Sequence, residues 1–290
     1  MDLPIVVGID GSEASLRAVD WAADEAALRG APLRLVYASF WDRYEGALLA
    51  QELNKPVEEV MAQDVIGPAR NRAHCRTPDV EVTTEVLPEE PARGLVRESR
   101  TALAMVLGCR GRSGIAQTLL GSVSLTVAGH AHCPVIVIRG SHDNQAPGAR
   151  GHIALGVGEK PAGTASVRFA TDEAMLRQVP LEVVRAWRRP ARATTGIPIL
   201  PGGEPEYLDE RQAVQALEEA LRDAPADLEV QRRIVEGHPR DSLISASHEA
   251  DLLVVGTRRR HGHVGLQLGR VAHGVLHHAA CPVAVVPELP

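Results

Sequence analysis

Short apolar runs alternate with amphipathic stretches along the whole chain. Residues 5–9 (Ile-Val-Val-Gly-Ile) carry no polar side chain, and a helical pattern follows in which Leu16, Val19, Ala22, Ala23, Ala26 and Ala27 recur at three- and four-residue steps. Ser12 stands where an N-cap belongs and Gly30 where a helix stops. The same rhythm predicts a strand over 33–38, a helix around 56–74 inside a polar stretch, a strand over 80–87 and a helix over 91–100. A continuous apolar strand over 103–107, a glycine-rich loop, a helix over 122–131 and a strand over 134–138 close the unit. Strands without an exposed polar face belong to a parallel sheet covered by helices on both sides, joined by right-handed crossovers.

The pattern is written twice. Displaced by 148 positions, Ile5, Gly8, Trp21, Ala22, Glu25, Arg29 and Pro32 meet Ile153, Gly156, Phe169, Ala170, Glu173, Arg177 and Pro180. At the other end Gly108, Gly121, His130, Cys133 and Pro134 meet Gly256, Gly269, His278, Cys281 and Pro282. The second copy predicts strands over 153–157, 181–186, 228–235, 252–255 and 283–286, with helices near 163–178, 207–223, 239–248 and 270–279. Residues 1–140 and 151–290 form two domains, with the polar, glycine- and proline-bearing stretch 141–150 as linker. Two copies are too few for a solenoid, so each is expected to bury its own core. Each also ends in an apolar edge strand, and such edges call for pairing. The copies are therefore expected to pack as a pseudo-dimer, and chains to associate further through these terminal strands.

Composition narrows the classes. The length of 290 residues suits two domains of ordinary size, and 44% hydrophobic with 23% charged residues is ordinary globular chemistry. A net charge of −6 argues against general binding to nucleic acid or anionic membranes. No run reaches the roughly 18 apolar residues of a membrane span, and no basic-then-apolar leader opens the chain. Cys133 and Cys281, repeat-equivalent and each followed by Pro, read as buried structural thiols. The expected location is cytoplasmic.

Two loops fall at the carboxyl ends of strands, where ligands collect in open parallel sheets. One is Asp10-Gly11-Ser12; the other begins at Leu107-Gly108-Cys109-Arg110-Gly111 and runs to Gly121-Ser122-Val123-Ser124, with spacing G-x2-G-x9-G-S. Glycines let backbone approach a bound group, and a helix opening at Ser122 offers unpaired N–H groups to a phosphate. Ser122 and Ser124 add hydroxyls, and Asp10 can accept from a ribose hydroxyl or hold Mg²⁺ through water.

Asp10-Gly-Ser, this glycine spacing and His130-Ala-His-Cys133-Pro134 before an apolar strand closely resemble the universal stress protein family, in its tandem-domain, ATP-binding branch. The resemblance implies a five-stranded α/β domain with strand order 3-2-1-4-5, domains paired through the last strand, and a nucleotide between the first and fourth strands. Carried onto this chain, it implies that Asp10 meets the ribose region and Ala38 the adenine, with Ile9 and Gly11 also among the nucleotide-binding residues. Leu107, Gly108, Gly111, Gly121, Ser122 and Val123 would wrap ribose and phosphates, assisted by Ser124, and Arg110 is also among the nucleotide-binding residues. The implied ligand is ATP, with ADP or AMP as alternatives and Mg²⁺ as companion ion, and the implied role is stress response or signalling through conformation or an unidentified protein partner.

The second copy departs from the motif. Gly158 answers Asp10, Glu159 answers Gly11, Arg259 answers Gly111 and Arg270 answers Ser122. Losing the carboxylate forfeits a charge-assisted hydrogen bond, about 1.5–3 kcal/mol. The second site is thus expected either to be dead or to have become an anion site, with one nucleotide per chain held in the first copy. The alternative function is a weak ATP hydrolase or adenylate-handling enzyme of the same architecture. No P-loop G-x4-G-K-[ST] occurs to support it, and no general base can be nominated. Among blander readings, Trp21 and Phe169 are core positions, His130 caps a helix end, and Arg258-Arg259-Arg260 is a solvated run.

Overall fold

A computed structural model describes residues 3–39, 57–109, 120–139, 151–158, 164–188, 205–258 and 268–288. The first half contributes strands β1 (Ile5–Ile9), β2 (Leu33–Ala38), β3 (Val82–Leu87), β4 (Ala104–Gly108) and β5 (Val135–Ile138). Between them run α1 (Glu13–Arg29), α2 (Val57–Arg76), α3 (Pro91–Glu98) and α4 (Ser122–His130). The second half contributes β6 (Ile153–Gly156), β7 (Leu181–Trp187), β8 (Val230–Glu236), β9 (Leu252–Arg258) and β10 (Val283–Glu288). Its helices are α5 (Ala165–Arg177), α6 (Pro205–Ala220), α7 (Pro239–Ala246) and α8 (Arg270–His278).

The caps read from the sequence hold α1 in place. The Ser12 hydroxyl accepts from the Ser15 amide, and Gly30 turns left-handed at φ 61° while its amide returns to the last carbonyls.

The strand order is β3-β2-β1-β4-β5-β10-β9-β6-β7-β8. Each half therefore has order 3-2-1-4-5, all parallel within the half. The halves join through an antiparallel pairing in which Val283, Ala284 and Val285 face Val137, Ile136 and Val135. The two apolar terminal strands cover each other inside one chain, so they are not free edges through which a second chain could add. That corrects the expectation of association through these strands. The outer edges are β3 and β8, whose side chains are largely polar or exposed, as unpaired edges require.

Alternation along buried strands splits the core into two layers. Ile5, Val7 and Ile9 of β1 face the layer under α1, α2, α5 and α6, while Val6 faces the layer under α3, α4, α7 and α8. Both layers run unbroken across the halves: Ile5 and Ile153 share one, Met105 and Leu253 the other. The halves thus share their hydrophobic layers instead of burying separate ones, because the sheet continues through β5 and β10.

On one side of that junction α1 and α5 meet. Glu25 and Arg29 pair along α1, Glu173 and Arg177 pair along α5, and each arginine also reaches the other half's glutamate. The Arg177 guanidinium lies 5.4 Å from the ring centre of Trp21, and Arg29 lies 5.7 Å from that of Phe169. These two aromatics, read from sequence as core positions, serve the contact between halves as well as the core edge.

Candidate functional site

β1 has β2 on one side and β4 on the other, with Ile9 opposite Tyr37 and Gly8 opposite Leu107. The chain leaves β1 towards β2 and returns at β4, so the sheet's order reverses here, and it is beyond such strand ends that ligands collect in open parallel sheets. Ile9 and Leu107 are buried at these strand ends, with side chains in opposite layers. Ala38 and Gly108 end the flanking strands.

Asp10 is half-buried and shaped by its own turn. Its Oδ1 accepts from the Ser12 amide at 3.0 Å and the Ser12 hydroxyl at 2.6 Å. Gly11 between them has φ 80°, which side-chain-bearing residues rarely adopt. Asp10 therefore initiates α1 from the end of β1; a carboxylate retains lone pairs beyond those two bonds.

The glycine loop closes on this turn. A Cβ on Gly108 would lie 2.7 Å from the backbone carbon and oxygen of Ala14 and 2.9 Å from the Ser15 nitrogen, so only glycine lets β4 approach α1 this closely. The Gly121 amide donates to the Cys109 carbonyl at 2.8 Å, bringing the far end of the loop back to its start. The buried Ser124 hydroxyl donates to the Gly108 carbonyl at 2.7 Å. Ser124 is expected among a ligand's donors; in the structure its hydroxyl fixes α4 on β4.

α4 begins with Gly121 as N-cap and no side chain capping it, and its first turn holds no acidic residue. Ser122 is exposed, and the amides of Ser122, Val123 and Ser124 have no intrahelical acceptor, as in any helix's first turn. Asp10, Gly11, Ala38, Gly108, Gly121, Ser122 and Val123 thus belong to one strand-end region. Arg110 and Gly111 lie outside the described residues, as do Glu159, Arg259 and Arg260. Among the described residues no group of three or more His, Cys, Asp or Glu gathers to hold a metal. A Mg²⁺ ion here would depend on Asp10 and on the ligand's own oxygens.

Nearby histidine and cysteine side chains have structural roles. His130 Nδ1 bonds the Thr126 carbonyl at 2.8 Å one turn back, the helix-end role read from its position. Burial pushes the Cys133 thiol up to about 12, so it stays protonated and inert.

In the second half the same region is built differently. β9 and β10 continue to Arg258 and Glu288, which pair with each other, whereas the corresponding pairing in the first half ends at Gly108 and Ile138. The entry to the second glycine loop is therefore straightened into sheet. Glu288 carries the consequence: its carboxylate accepts from the Ala165 amide at 2.7 Å, the Ser166 amide at 3.1 Å and the Ser166 hydroxyl at 2.6 Å. An internal carboxylate thus occupies the amino end of α5. Sequence reasoning missed this residue; the signal was Glu288 standing where the first copy has Gly140. Gly158, in the place of Asp10, is exposed, and Arg270 is exposed on the first turn of α8.

A model of the universal stress protein family matches residues 3–139 and again residues 150–287. A universal stress protein of Mycobacterium tuberculosis is 32% identical, over 99% of this chain and 97% of its own length. One of Mycolicibacterium smegmatis is 32% identical, over 97% of this chain and 96% of its own. The crystal structure of a universal stress protein from Archaeoglobus fulgidus covers 98% of each chain with a TM-score of 0.64 at 16% identity, a likeness of fold.

Proposed function

The chain belongs to the universal stress protein family, and we propose that it acts as a nucleotide-responsive binding protein whose first half holds one ATP. Its output would be a change of conformation or partner in stress response. One observation supports this most: the Asp10 turn, Gly108 and the uncapped amino end of α4 meet at the reversal point of the sheet. In this reading Asp10 accepts from a ribose hydroxyl while Ile9 and Gly11 shape the floor and the turn. Ala38 and Leu107 border the base and sugar, and Gly108 and Gly121 admit the phosphates. The amides of Ser122 and Val123 donate to them, favoured by the positive end of the helix dipole. Arg110 and Gly111 belong to the same loop by sequence. Were Mg²⁺ to accompany the nucleotide, Asp10 is the residue that would hold it, through water, and the ion would offset phosphate charge; among the described residues no group of three or more His, Cys, Asp or Glu gathers to hold a metal.

The second half is excluded from this role in the proposal because Asp10 has no counterpart there and β9 runs straight past Gly256. The reading is of binding and not of turnover. Mass spectrometry of the gently purified chain tests it: the wild type should carry adenine nucleotide, and Asp10→Ala should carry none. A wild type that carries none and binds no added ATP contradicts it.

A further inference from the structure

The two outer edges of the sheet are unequal, and β3 carries the more open one. Thr83, Thr84, Glu85 and Val86 are all exposed, Val86 to 44%. Successive residues of a strand point to opposite faces, so both faces of this edge are open. β8 is closed more tightly: Arg233, Ile234 and Val235 are half-buried, and Arg233 is tied to Glu182 at 3.4 Å.

Hydrogen bonds to β2 fix which backbone groups the edge offers. The Leu33 amide donates to the Glu81 carbonyl at 2.9 Å and the Ser39 amide to the Leu87 carbonyl at 3.1 Å. Odd-numbered residues of β3 thus turn their backbone groups to β2, and Val82, Thr84 and Val86 turn theirs outward. Among the described residues β3 is the outermost strand of the first half. Side chains alternate likewise. Val82 packs on the layer under α1 and α2, with Thr84 and Val86 on the same face; Leu87 joins the other layer, with Thr83 and Glu85 on its face.

One self-pairing suits this pattern. An antiparallel strand of identical sequence keeps each face continuous only when the two-fold axis passes through a residue. An axis at Thr83 sets Glu81 opposite Glu85, and one at Glu85 sets that carboxylate against itself; like charges directly opposite are destabilising. An axis at Val82 needs the Val80 amide, which already donates to the Thr77 carbonyl at 3.2 Å. An axis at Val86 sets Thr84 opposite Pro88, which has no N–H to give. With the axis at Thr84, Thr84 meets its own copy and Val82 meets Val86 on either side, while Thr83 meets Glu85 on the other face. Every outward N–H and C=O then finds a counterpart, and the exposed Val86 gains an apolar neighbour. The chain closes its β5 and β10 edges in the same antiparallel way.

We propose that a second copy of this chain pairs with the first along β3, antiparallel and centred on Thr84, so that two ten-stranded sheets continue through a two-fold axis. This goes beyond the nucleotide reading and does not depend on it.

Sedimentation velocity over a concentration series is the test. The wild type should form a concentration-dependent dimer. Thr84→Pro removes an outward N–H and no bond to β2, so it should leave a folded monomer. Thr83→Glu sets like charges opposite each other twice and should weaken the dimer about tenfold; Thr83→Lys, opposite Glu85, should tighten it by a similar factor. The same two changes at Gln231, exposed on β8, repeat the shift in net charge and should leave the dimer unmoved. If Thr84→Pro fails to fold, the opposed effects at Thr83 still decide. A wild type monomeric at every concentration, a dimer that survives Thr84→Pro, Thr83 variants that act in the same direction, or Gln231 variants that act as strongly would each overturn the proposal.

Discussion

Arg177 of the second half reaches the carboxylate of Glu25 in the first. Arg29 makes the reciprocal contact with Glu173, so one Glu-x-x-x-Arg pair, written twice, closes a ring of four charges across the junction. Glu25 and Glu173 are 1% and 0% exposed, and Arg177 is 3% exposed. Such a ring supplies register more than net energy: desolvating four charges offsets most of their attraction, and removing one leaves the others buried and unbalanced.

Arg177→Met should therefore destabilise the chain by about 3–5 kcal/mol in urea denaturation. Replacing all four members with apolar residues of similar size should cost far less. A single substitution costing under about 1 kcal/mol would mean the ring is solvated in solution.

The ring should also give stability a pH dependence. Burial and then the charge of Glu173 push Glu25 from 4.5 up to about 7, against the pull of Arg177 and Arg29. For Glu173 burial acts the same way, but Arg177 and Arg29 outweigh it and hold that carboxyl below its ordinary value. An acid whose pKa is higher folded than unfolded binds more protons when folded. The contribution of Glu25 is thus complete below about 4.5 and is lost as pH rises through about 7. The contribution of Glu173 has the opposite sense and is lost only at lower pH. Denaturation free energies should accordingly fall across this window, and Glu25→Gln should remove the slope; an unchanged slope in that variant would refute the assignment.

Equivalent glycines should respond unequally. In Gly108→Ala the new methyl meets the backbone of Ala14 and Ser15, which cannot yield without moving α1, so a loss of about 1–3 kcal/mol is expected. In Gly256→Ala the nearest atoms are the Glu288 carboxylate at 2.7 Å and the Ser166 hydroxyl at 2.9 Å, side-chain atoms whose displacement disturbs their mutual hydrogen bond but moves no helix backbone. Thermal melts should show the first variant clearly lower than the second, and equal losses would contradict the close approach of β4 to α1.

Ser124→Ala removes the bond to the Gly108 carbonyl and strands a buried acceptor, at a cost of about 1–3 kcal/mol. ATP affinity should fall only modestly, because the hydroxyl serves the scaffold. If stability were unchanged and ATP affinity collapsed, Ser124 would be a ligand donor after all.

Much of the fold was legible because local signals and the repeat agreed. Ser12 and Gly30 marked both ends of α1, and apolar runs such as 33–38 and 134–138 marked strands buried on both faces. What local pattern could not carry was decided by partners distant in sequence. The mutual covering of Val135–Ile138 and Val283–Glu288 turns two cores into shared layers. The extension of β9 to Arg258 depends on β10 lying beside it, and that extension brings Glu288 to α5. The charge ring was visible only as a repeated i, i+4 pair on an otherwise buried helix face. In the site, the glycine spacing and Asp10 were readable, whereas the binding of Ser124 to Gly108 required the packed geometry.

Calorimetric titration of ATP into the wild type and into Asp10→Asn and Ser122→Asp is the most direct test. Asn keeps the Oδ1 acceptor that forms the turn with Ser12, and an acidic residue in a helix's first turn is favourable for folding, so both variants should melt near the wild type. The wild type should bind one ATP per chain, Asp10→Asn should lose about tenfold or more in affinity, and Ser122→Asp should lose binding. ATP bound equally well by all three proteins would contradict the placement of the nucleotide between the Asp10 turn and the amino end of α4.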